Sequence, residues 1–319
     1  MRRIALAAAL IALIAAGPAF AEDYPSRPVR IVFPLAAGGG GDVFTRALAD
    51  ELQKAWHQPV VVENRPGGGQ NIGARACAES TPDGYTICVM SSEPAVYNQY
   101  LYKSIPYDPE KDFQPIANLF FNTLAIVVTP ELKVKTFAEL LALAKSQRGK
   151  LSYATFSYPL TYFMERLKKT DDIDIVKVPY RGGGDVVNAL LGNSIQVALL
   201  ALSNMVPQLQ AGRIVPLAVV ANDRSPLFPD VPTLKEVRGE HYPPTWFGLF
   251  TQAAVPRPIV DKIARDVDRI MAEPNFRQRI YIERGVEPAP ERTDEFARFI
   301  AEERKLAERI VKESGEPPK

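Results

Sequence analysis

Apolar runs alternate with amphipathic segments along this chain of 319 residues. The run "VRIVFPL" precedes "DVFTRALADELQKAW", "PVVVENR" precedes "NIGARACAES", and "YTICVMS" completes a first series. A second series begins with "LAIVVTP" and ends with "IVPLAVVA". Short β-branched runs that alternate with helical periodicity are typical of βαβ units, in which helices cover a parallel sheet. We therefore predict an α/β protein of two lobes, each a mostly parallel sheet covered by helices.

The chain is too long for one hydrophobic core, because single cores stop growing at about 250–300 residues. We predict that residues 22–120 and 223–319 form the first lobe and that residues 121–222 form the second. Two segments would cross between the lobes, near residues 118–123 and 220–225. The two charged helices predicted near the C-terminal end would return to pack on the first lobe.

The N-terminal segment has the layout of a secretory signal peptide. Arg2 and Arg3 precede an apolar stretch, and a small-residue triplet ends at Ala21. The apolar stretch is shorter than the roughly 20 residues that span a bilayer, which argues against a membrane anchor. We therefore predict that residues 1–21 are removed by cleavage after Ala21 and that the mature protein is periplasmic.

Composition narrows the choice of partners and cofactors. The formal net charge is +1 and no basic stripe occurs, so nucleic acid is not expected as a partner. The chain has two histidines, far apart, and no CxxC motif, so we predict no metal site and no cofactor. Cys77 and Cys88 either form a disulfide, which export permits, or are small core residues.

Two glycine runs each lie between a strand and a helix, "GGGGDV" at 38–43 and "GGGDV" at 182–186. The free N–H groups at a helix start, together with the helix dipole, bind anions. Asp42 stands where an N-cap residue is expected, and its charge favours a carboxylate over a polyphosphate as the ligand. We predict that each lobe points one such helix start at a shared anion.

Alternative interpretations of the glycine runs are weaker. Neither run has the GxGxxG spacing of dinucleotide sites, and no GxxxxGK[ST] motif occurs. Tyr180 and Arg181 precede the second run and could bind a carboxylate, but Tyr180 could equally pack and Arg181 could form a surface ion pair. A third run, in "ENRPGGGQNIG", is interpreted as a structural turn whose glycines supply positive φ.

Signatures of catalysis are lacking in the sequence. Neither HExxH nor GxSxG occurs, and neither His57 nor His241 belongs to a catalytic-looking group. A two-lobed protein with a cleft and no catalytic set is typical of a solute receptor, and we predict that it is not an enzyme. A cleft hydrolase acting on a carboxylated substrate is the weaker alternative.

Ordered segments along nearly the whole chain resemble the tripartite tricarboxylate transporter substrate-binding family, also called TctC or Bug proteins. They include "YPSRPVRIVFPLAAGGGGD", "QPVVVENRPGGGQNIGA", "STPDGYTICV", "LYKSIPYDPEKDFQPIA" and "IVKVPYRGGGDVVNALLGNSIQVAL". The resemblance implies a type 2 periplasmic binding protein that closes on a small di-, tri- or aromatic carboxylate. It also implies membrane permease subunits as partners, whereas a sensory partnership with a membrane kinase is the alternative. We expect a monomer.

The resemblance also implies the ligand-binding residues. A glycine loop of the first lobe and loops of the second would hold one carboxylate, with residues near Ser91, Ser92 and Ser203 at the distal end. One departure concerns "TFSYPLTYFMERL", where Phe156 and Tyr158 replace small residues and either shape the pocket for an aromatic acid or pack internally. The predicted set is Ala37, Gly38, Gly39, Asp42, Ser91, Ser92, Thr155, Ser157, Tyr180, Arg181, Gly182 and Ser203.

Overall fold

A computed structural model of the chain describes residues 24–155, 157–180, 182–221, 223–239 and 245–319. These residues form two separate β-sheets, each covered by helices. The first sheet has six strands in the order β11-β4-β10-β3-β1-β2, and the second has five in the order β7-β6-β8-β5-β9. We refer to the first sheet with its helices as lobe 1 and to the second sheet with its helices as lobe 2. The predicted two-lobed α/β fold is confirmed.

The elements of lobe 1 come from both ends of the described chain. Its strands are β1 (Val29–Phe33), β2 (Val60–Asn64), β3 (Thr86–Ser91), β4 (Phe113–Asn122), β10 (Thr245–Gln252) and β11 (Val286–Pro288). Its helices are α1 (Gly40–Trp56), α2 (Asn71–Ala78), α3 (Asn98–Leu101), α9 (Arg257–Ala272), α10 (Pro274–Phe276) and α11 (Thr293–Ser314). Short 3₁₀ or π turns cover Gly68–Gln70, Glu93–Tyr97 and Arg277–Ile282.

Lobe 2 is built from the middle of the chain. Its strands are β5 (Leu124–Val128), β6 (Leu151–Ala154), β7 (Ile175–Lys177), β8 (Val197–Ala201) and β9 (Val215–Val220). Its helices are α4 (Phe137–Ser146), α5 (Tyr158–Thr170), α6 (Gly183–Leu191), α7 (Val206–Gln210) and α8 (Leu234–Arg238), with 3₁₀ turns at Pro130–Leu132 and Leu202–Asn204.

The sheets are mixed rather than mostly parallel. The βαβ series predicted from the sequence pairs in parallel, as β1 does with β2 and β3 and as β6 does with β7 and β8. Strand β10 instead inserts between β3 and β4 and runs antiparallel to both, and β5 runs antiparallel to β8 and β9. These antiparallel strands lie next to the passages between the sheets: β4 ends at Asn122 and β5 begins at Leu124. The predicted residue boundaries of the lobes stay a prediction.

Both faces of each sheet are buried, because helices pack on either side. In lobe 1 the apolar face of α1 packs on the sheet, since Phe44, Leu48 and Leu52 are all buried in its core. The opposite face of that sheet is covered by α11, whose Phe296 packs edge-on against Trp246 with ring centroids 5.3 Å apart. The returning C-terminal helices therefore belong to the core of lobe 1.

Cys77 of α2 and Cys88 of β3 form a disulfide, with their Cα atoms 6.2 Å apart. Both side chains are buried in the core of lobe 1. Of the two alternatives that the sequence left open, the structure therefore shows the disulfide. It ties α2 to the strand against which that helix packs.

The helices of the described ranges give no candidate for a membrane crossing, since none combines the necessary length with the necessary apolar character. The predicted signal peptide, residues 1–21, lies outside the described residues, as do His241, the predicted site residue Arg181, and Phe156, whose role the sequence left open.

Candidate functional site

Two cavities lie side by side where lobe 1 meets lobe 2. The larger has a volume of about 700 Å³ and the smaller about 40 Å³. Leu35, directly after β1, lines both of them. The larger volume falls in the range typical of small-molecule sites, of about 300–1,000 Å³. The smaller holds little more than one water molecule, whose share of liquid volume is about 30 Å³.

The smaller cavity brings together the two glycine runs predicted to face one anion. Gly39 to Gly41, at the start of α1, line it from lobe 1, and Gly182 to Gly184, at the start of α6, line it from lobe 2. The lobes touch here, because the Gly40 N–H donates to Asn204 Oδ1 over 2.9 Å. Two helix N-termini from different lobes thus converge. The predicted residues that line this cavity are Ala37, Gly39, Asp42, Gly182 and Ser203.

Asp42 does not cap α1, so that prediction is wrong. The helix begins at Gly40, because Gly39 already has the extended backbone of an N-cap, and this places Asp42 inside the first turn. Its side chain is 3% exposed and accepts hydrogen bonds from Gly38 N at 3.0 Å, Asn64 Nδ2 at 2.8 Å and Arg46 Nε at 3.0 Å. Burial alone would raise the pKa of Asp42, but these donors outweigh burial and the pKa is lowered. The carboxylate therefore holds the glycine loop in place.

The larger cavity takes in predicted residues from lobe 2. Thr155, Ser157 and Tyr180 line it, together with Tyr158, the first residue of α5. Tyr158 also packs on Tyr97 with ring centroids 6.0 Å apart, so this residue both lines the cavity and packs internally. The suggested preference for an aromatic acid stays a prediction. The remaining predicted residues are not part of this lining: Gly38 donates to Asp42, and Ser91 and Ser92 are buried behind the wall.

Three hydroxyl groups at the site are buried without a hydrogen-bond partner among the described residues. They belong to Thr155, Ser157 and Ser203, whose side chains are 2%, 6% and 8% exposed. Leaving a buried polar group unpaired costs about 1–3 kcal/mol, so native proteins rarely do so without a reason. All three line one of the two cavities.

The third glycine run also lines the larger cavity, which the sequence analysis did not predict. Gly67, Gly68, Gly69 and Gln70 all have positive φ, as expected for a turn, and all four contribute to the cavity wall. The strand, glycine run and helix follow one another here as they do at the other two runs, so this pattern was the available signal. A turn role and a site role are compatible at this loop.

Charged side chains occupy one side of the larger cavity. Lys177 and Glu165 of lobe 2 line it together with Glu316 and Lys319, which follow α11. The Lys177 ammonium donates to Thr161 Oγ1 at 2.9 Å, and burial of that group, followed by the charge of Lys319, lowers the pKa of Lys177. No sequence motif marks this group, since its members come together only when the C-terminal segment lies across the cavity.

Glu93 is the most deeply buried acid of the larger cavity and the sequence analysis did not identify it. Its Oε2 lies 2.6 Å from Ser91 Oγ and accepts a hydrogen bond from Gln70 Nε2 at 3.1 Å, and both partners belong to lobe 1. Its Oε1 accepts from the backbone N–H of Tyr158 in lobe 2 at 3.1 Å. Burial raises the pKa of Glu93 against the opposing effect of these hydrogen bonds. A side chain of lobe 1 thus accepts the hydrogen bond from the first N–H of α5, which belongs to lobe 2.

Residues 44–316 match the model of the family described as "Tripartite tricarboxylate transporter family receptor". Protein BugT of Bordetella pertussis is 30% identical over 304 residues, which cover 94% of this chain and 93% of BugT. The structure titled "R. palustris Rpa4515 with adipate" superposes with a TM-score of 0.88 at 27% identity, covering 93% of this chain and 100% of that one.

A second solved structure, "MatC (Rpa3494) from Rhodopseudomonas palustris with bound malate", has a TM-score of 0.82 at 28% identity. The superposition covers 90% of this chain and 100% of that chain. The resemblance stated from the sequence segments is thereby confirmed.

Proposed function

Because this chain belongs to the tripartite tricarboxylate transporter family of receptors, we propose that it is a periplasmic solute receptor for a small organic carboxylate. The lobes would close on the acid, and the receptor would deliver it to the membrane permease subunits of such a transporter without covalent chemistry. The two solved relatives described with adipate and with bound malate are 27% and 28% identical to this chain, and both of those ligands are carboxylates.

One observation carries the proposal for this chain: unpaired buried hydroxyls lie next to helix N-termini at the junction of the lobes. Ser157 is the N-cap residue of α5, and Ser203 lies within the small cavity beside the starts of α1 and α6. A carboxylate oxygen accepts hydrogen bonds from hydroxyl and N–H groups and is favoured by the positive end of a helix dipole. We propose Ala37, Gly39, Thr155, Ser157, Tyr180, Gly182 and Ser203 as the ligand-binding set, with Asp42 supporting the first loop through its hydrogen bond from Gly38 N.

Replacing Thr155 with valine tests whether its hydroxyl serves the ligand. Valine has the same shape but no hydroxyl, so the variant should bind the carboxylate about 5- to 10-fold more weakly through loss of one hydrogen bond. The ligand-free protein should be as stable as wild type or slightly more stable, because the variant buries no unpaired polar group. Isothermal titration calorimetry with adipate and malate, followed by thermal unfolding, gives both quantities.

Thr129→Val is the matched control. The Thr129 hydroxyl is also buried, but it already has Asn193 Oδ1 as a partner at 3.3 Å and lies outside both cavities. This variant should lose stability and keep its ligand affinity, which is the reverse pattern. Equal behaviour of the two variants would contradict a ligand role for Thr155. A bound acid recovered chemically altered would contradict the receptor function.

A further inference from the structure

We propose that Glu93 sets the ligand class of this receptor, favouring a monocarboxylate whose distal end carries a hydrogen-bond donor over a dicarboxylate. The inference rests on the proposed function. It starts from the N-terminus of α5, which is a helix of 13 residues. The first N–H of this helix, that of Tyr158, already donates to the Glu93 carboxyl group. A helix start of this kind would otherwise attract a second carboxylate of the ligand. Here a protein carboxyl group fills that position.

Counting the hydrogens available around Ser91 indicates whether the Glu93 carboxyl group is protonated. Ser91 Oγ lies 2.8 Å from Gln70 Oε1 and 2.6 Å from Glu93 Oε2, yet a serine hydroxyl has a single hydrogen for these two contacts. The second hydrogen is available if Glu93 itself is protonated at Oε2 and donates to Ser91 Oγ. The raised pKa of this buried carboxyl agrees with that arrangement. The proton is then used within lobe 1.

What remains for a ligand is an acceptor. A carboxyl group offers about four lone-pair positions on its two oxygens. The Tyr158 N–H takes one position on Oε1, so that oxygen can accept one further hydrogen bond from within the cavity. A ligand hydroxyl or amino group can donate a hydrogen bond to this oxygen. A ligand carboxylate has no hydrogen to donate, so its lone pairs would face those of Glu93 Oε1 and repel them. Glu93 therefore acts as a fixed, uncharged hydrogen-bond acceptor.

The other residues that line the cavity near Glu93 suit a ligand whose distal end is uncharged and partly apolar. Around Glu93 the wall is made by Leu101 and Tyr102 of lobe 1 and by Tyr158 of lobe 2, while Thr155 and Ser157 supply unpaired hydroxyls. Lys177 interacts electrostatically with Lys319, Glu165 and Glu316, and all four residues line this cavity. The formal charges of the two lysines are matched by those of the two glutamates, so these four residues leave no excess positive charge for a second carboxylate.

The test compares ligands that differ only in the distal group. Isothermal titration calorimetry at pH 7.5 would measure 6-hydroxyhexanoate against adipate, and 4-hydroxybenzoate against terephthalate. One of these two pairs will bind more tightly than the other. Within that pair, we expect the wild-type protein to bind the hydroxy acid at least about 10-fold more tightly than the dicarboxylate. In Glu93→Gln that preference should fall to about one, because the new amide can donate to a carboxylate while its oxygen still accepts from Tyr158 N.

Glu303→Gln is the control variant. Glu303 is a second buried acid of lobe 1, with a raised pKa caused by burial, but it accepts from Trp246 Nε1 and does not line the cavity. Its replacement should leave the preference unchanged. If the wild-type protein binds the dicarboxylate as tightly as the hydroxy acid, the role proposed for Glu93 is wrong, although the receptor function stands. This comparison uses wild-type protein alone, so it does not depend on the folding of a variant. Absence of binding by all four acids would contradict the proposed function and the inference together.

Discussion

Alanine in place of Gly40 is expected to weaken carboxylate binding by roughly 30- to 150-fold, because overpacking a close contact costs about 2–3 kcal/mol. A Cβ atom at Gly40 would lie 2.6 Å from Ser203 Cβ and 3.1 Å from the Ser203 carbonyl carbon, across the junction of the lobes. The backbone of Gly40 is that of a first helical residue without positive φ, so alanine is acceptable to lobe 1 itself. The clash appears only when the lobes meet.

Calorimetric titration with the best-binding acid, together with urea unfolding of the ligand-free protein, measures this prediction. The matched control is Gly192→Ala, since Gly192 follows α6 outside both cavities, has no positive φ, and a Cβ there would have its nearest contact at an ordinary 3.4 Å. It should bind like wild type. An unchanged affinity in Gly40→Ala would show that the bound state does not bring Ser203 against the start of α1, and closure over these glycines would have to be abandoned.

Removing the carboxylate of Asp42 should destabilise the protein by about 3 kcal/mol, because Asp42→Ala leaves buried donors without their partner. The donors that lose it include Gly38 N and Asn64 Nδ2, so the glycine loop at the start of α1 should lose its shape and ligand binding should fall as well. Asp50→Ala, at an exposed position of the same helix, should change the free energy of unfolding by less than about 0.5 kcal/mol. Equal losses in the two variants would contradict the role given to Asp42.

The pH dependence of the same pair gives a second check. The pKa of Asp42 is lowered in the folded protein, so folding stabilises its charged form. That contribution is complete above the unfolded aspartate pKa of about 3.9 and is lost as pH falls through the lower folded value. Wild type and Asp42→Ala should therefore differ most at neutral pH and approach one another below about pH 4. A difference that stays constant down to pH 3 would mean that the Asp42 charge does not contribute to stability.

Local sequence was enough to predict most strands and helices and the loops of the site. The alternation of apolar runs and amphipathic segments reports local periodicity, which is why β1 to β3 and β5 to β9 were predictable, whereas β4, β10 and β11 were not predicted. The glycine runs at 38–41 and 182–184 were predictable as helix starts for the same reason, since backbone freedom and strand-to-helix order are properties of contiguous residues. The burial of Phe44, Leu48 and Leu52 followed from their spacing on one helix face.

The tertiary structure alone decided which of these local features meet. Strand β10 inserts between β3 and β4, which lie far from it in sequence. The apolar pattern within a strand does not indicate which other strands it pairs with. Thr155 and Ser203 became site residues through burial without a partner, which depends on all surrounding atoms. The contact of Glu93 with the Tyr158 N–H links two lobes, and the selectivity inferred from it exists only because those distant residues are brought within a hydrogen bond of each other.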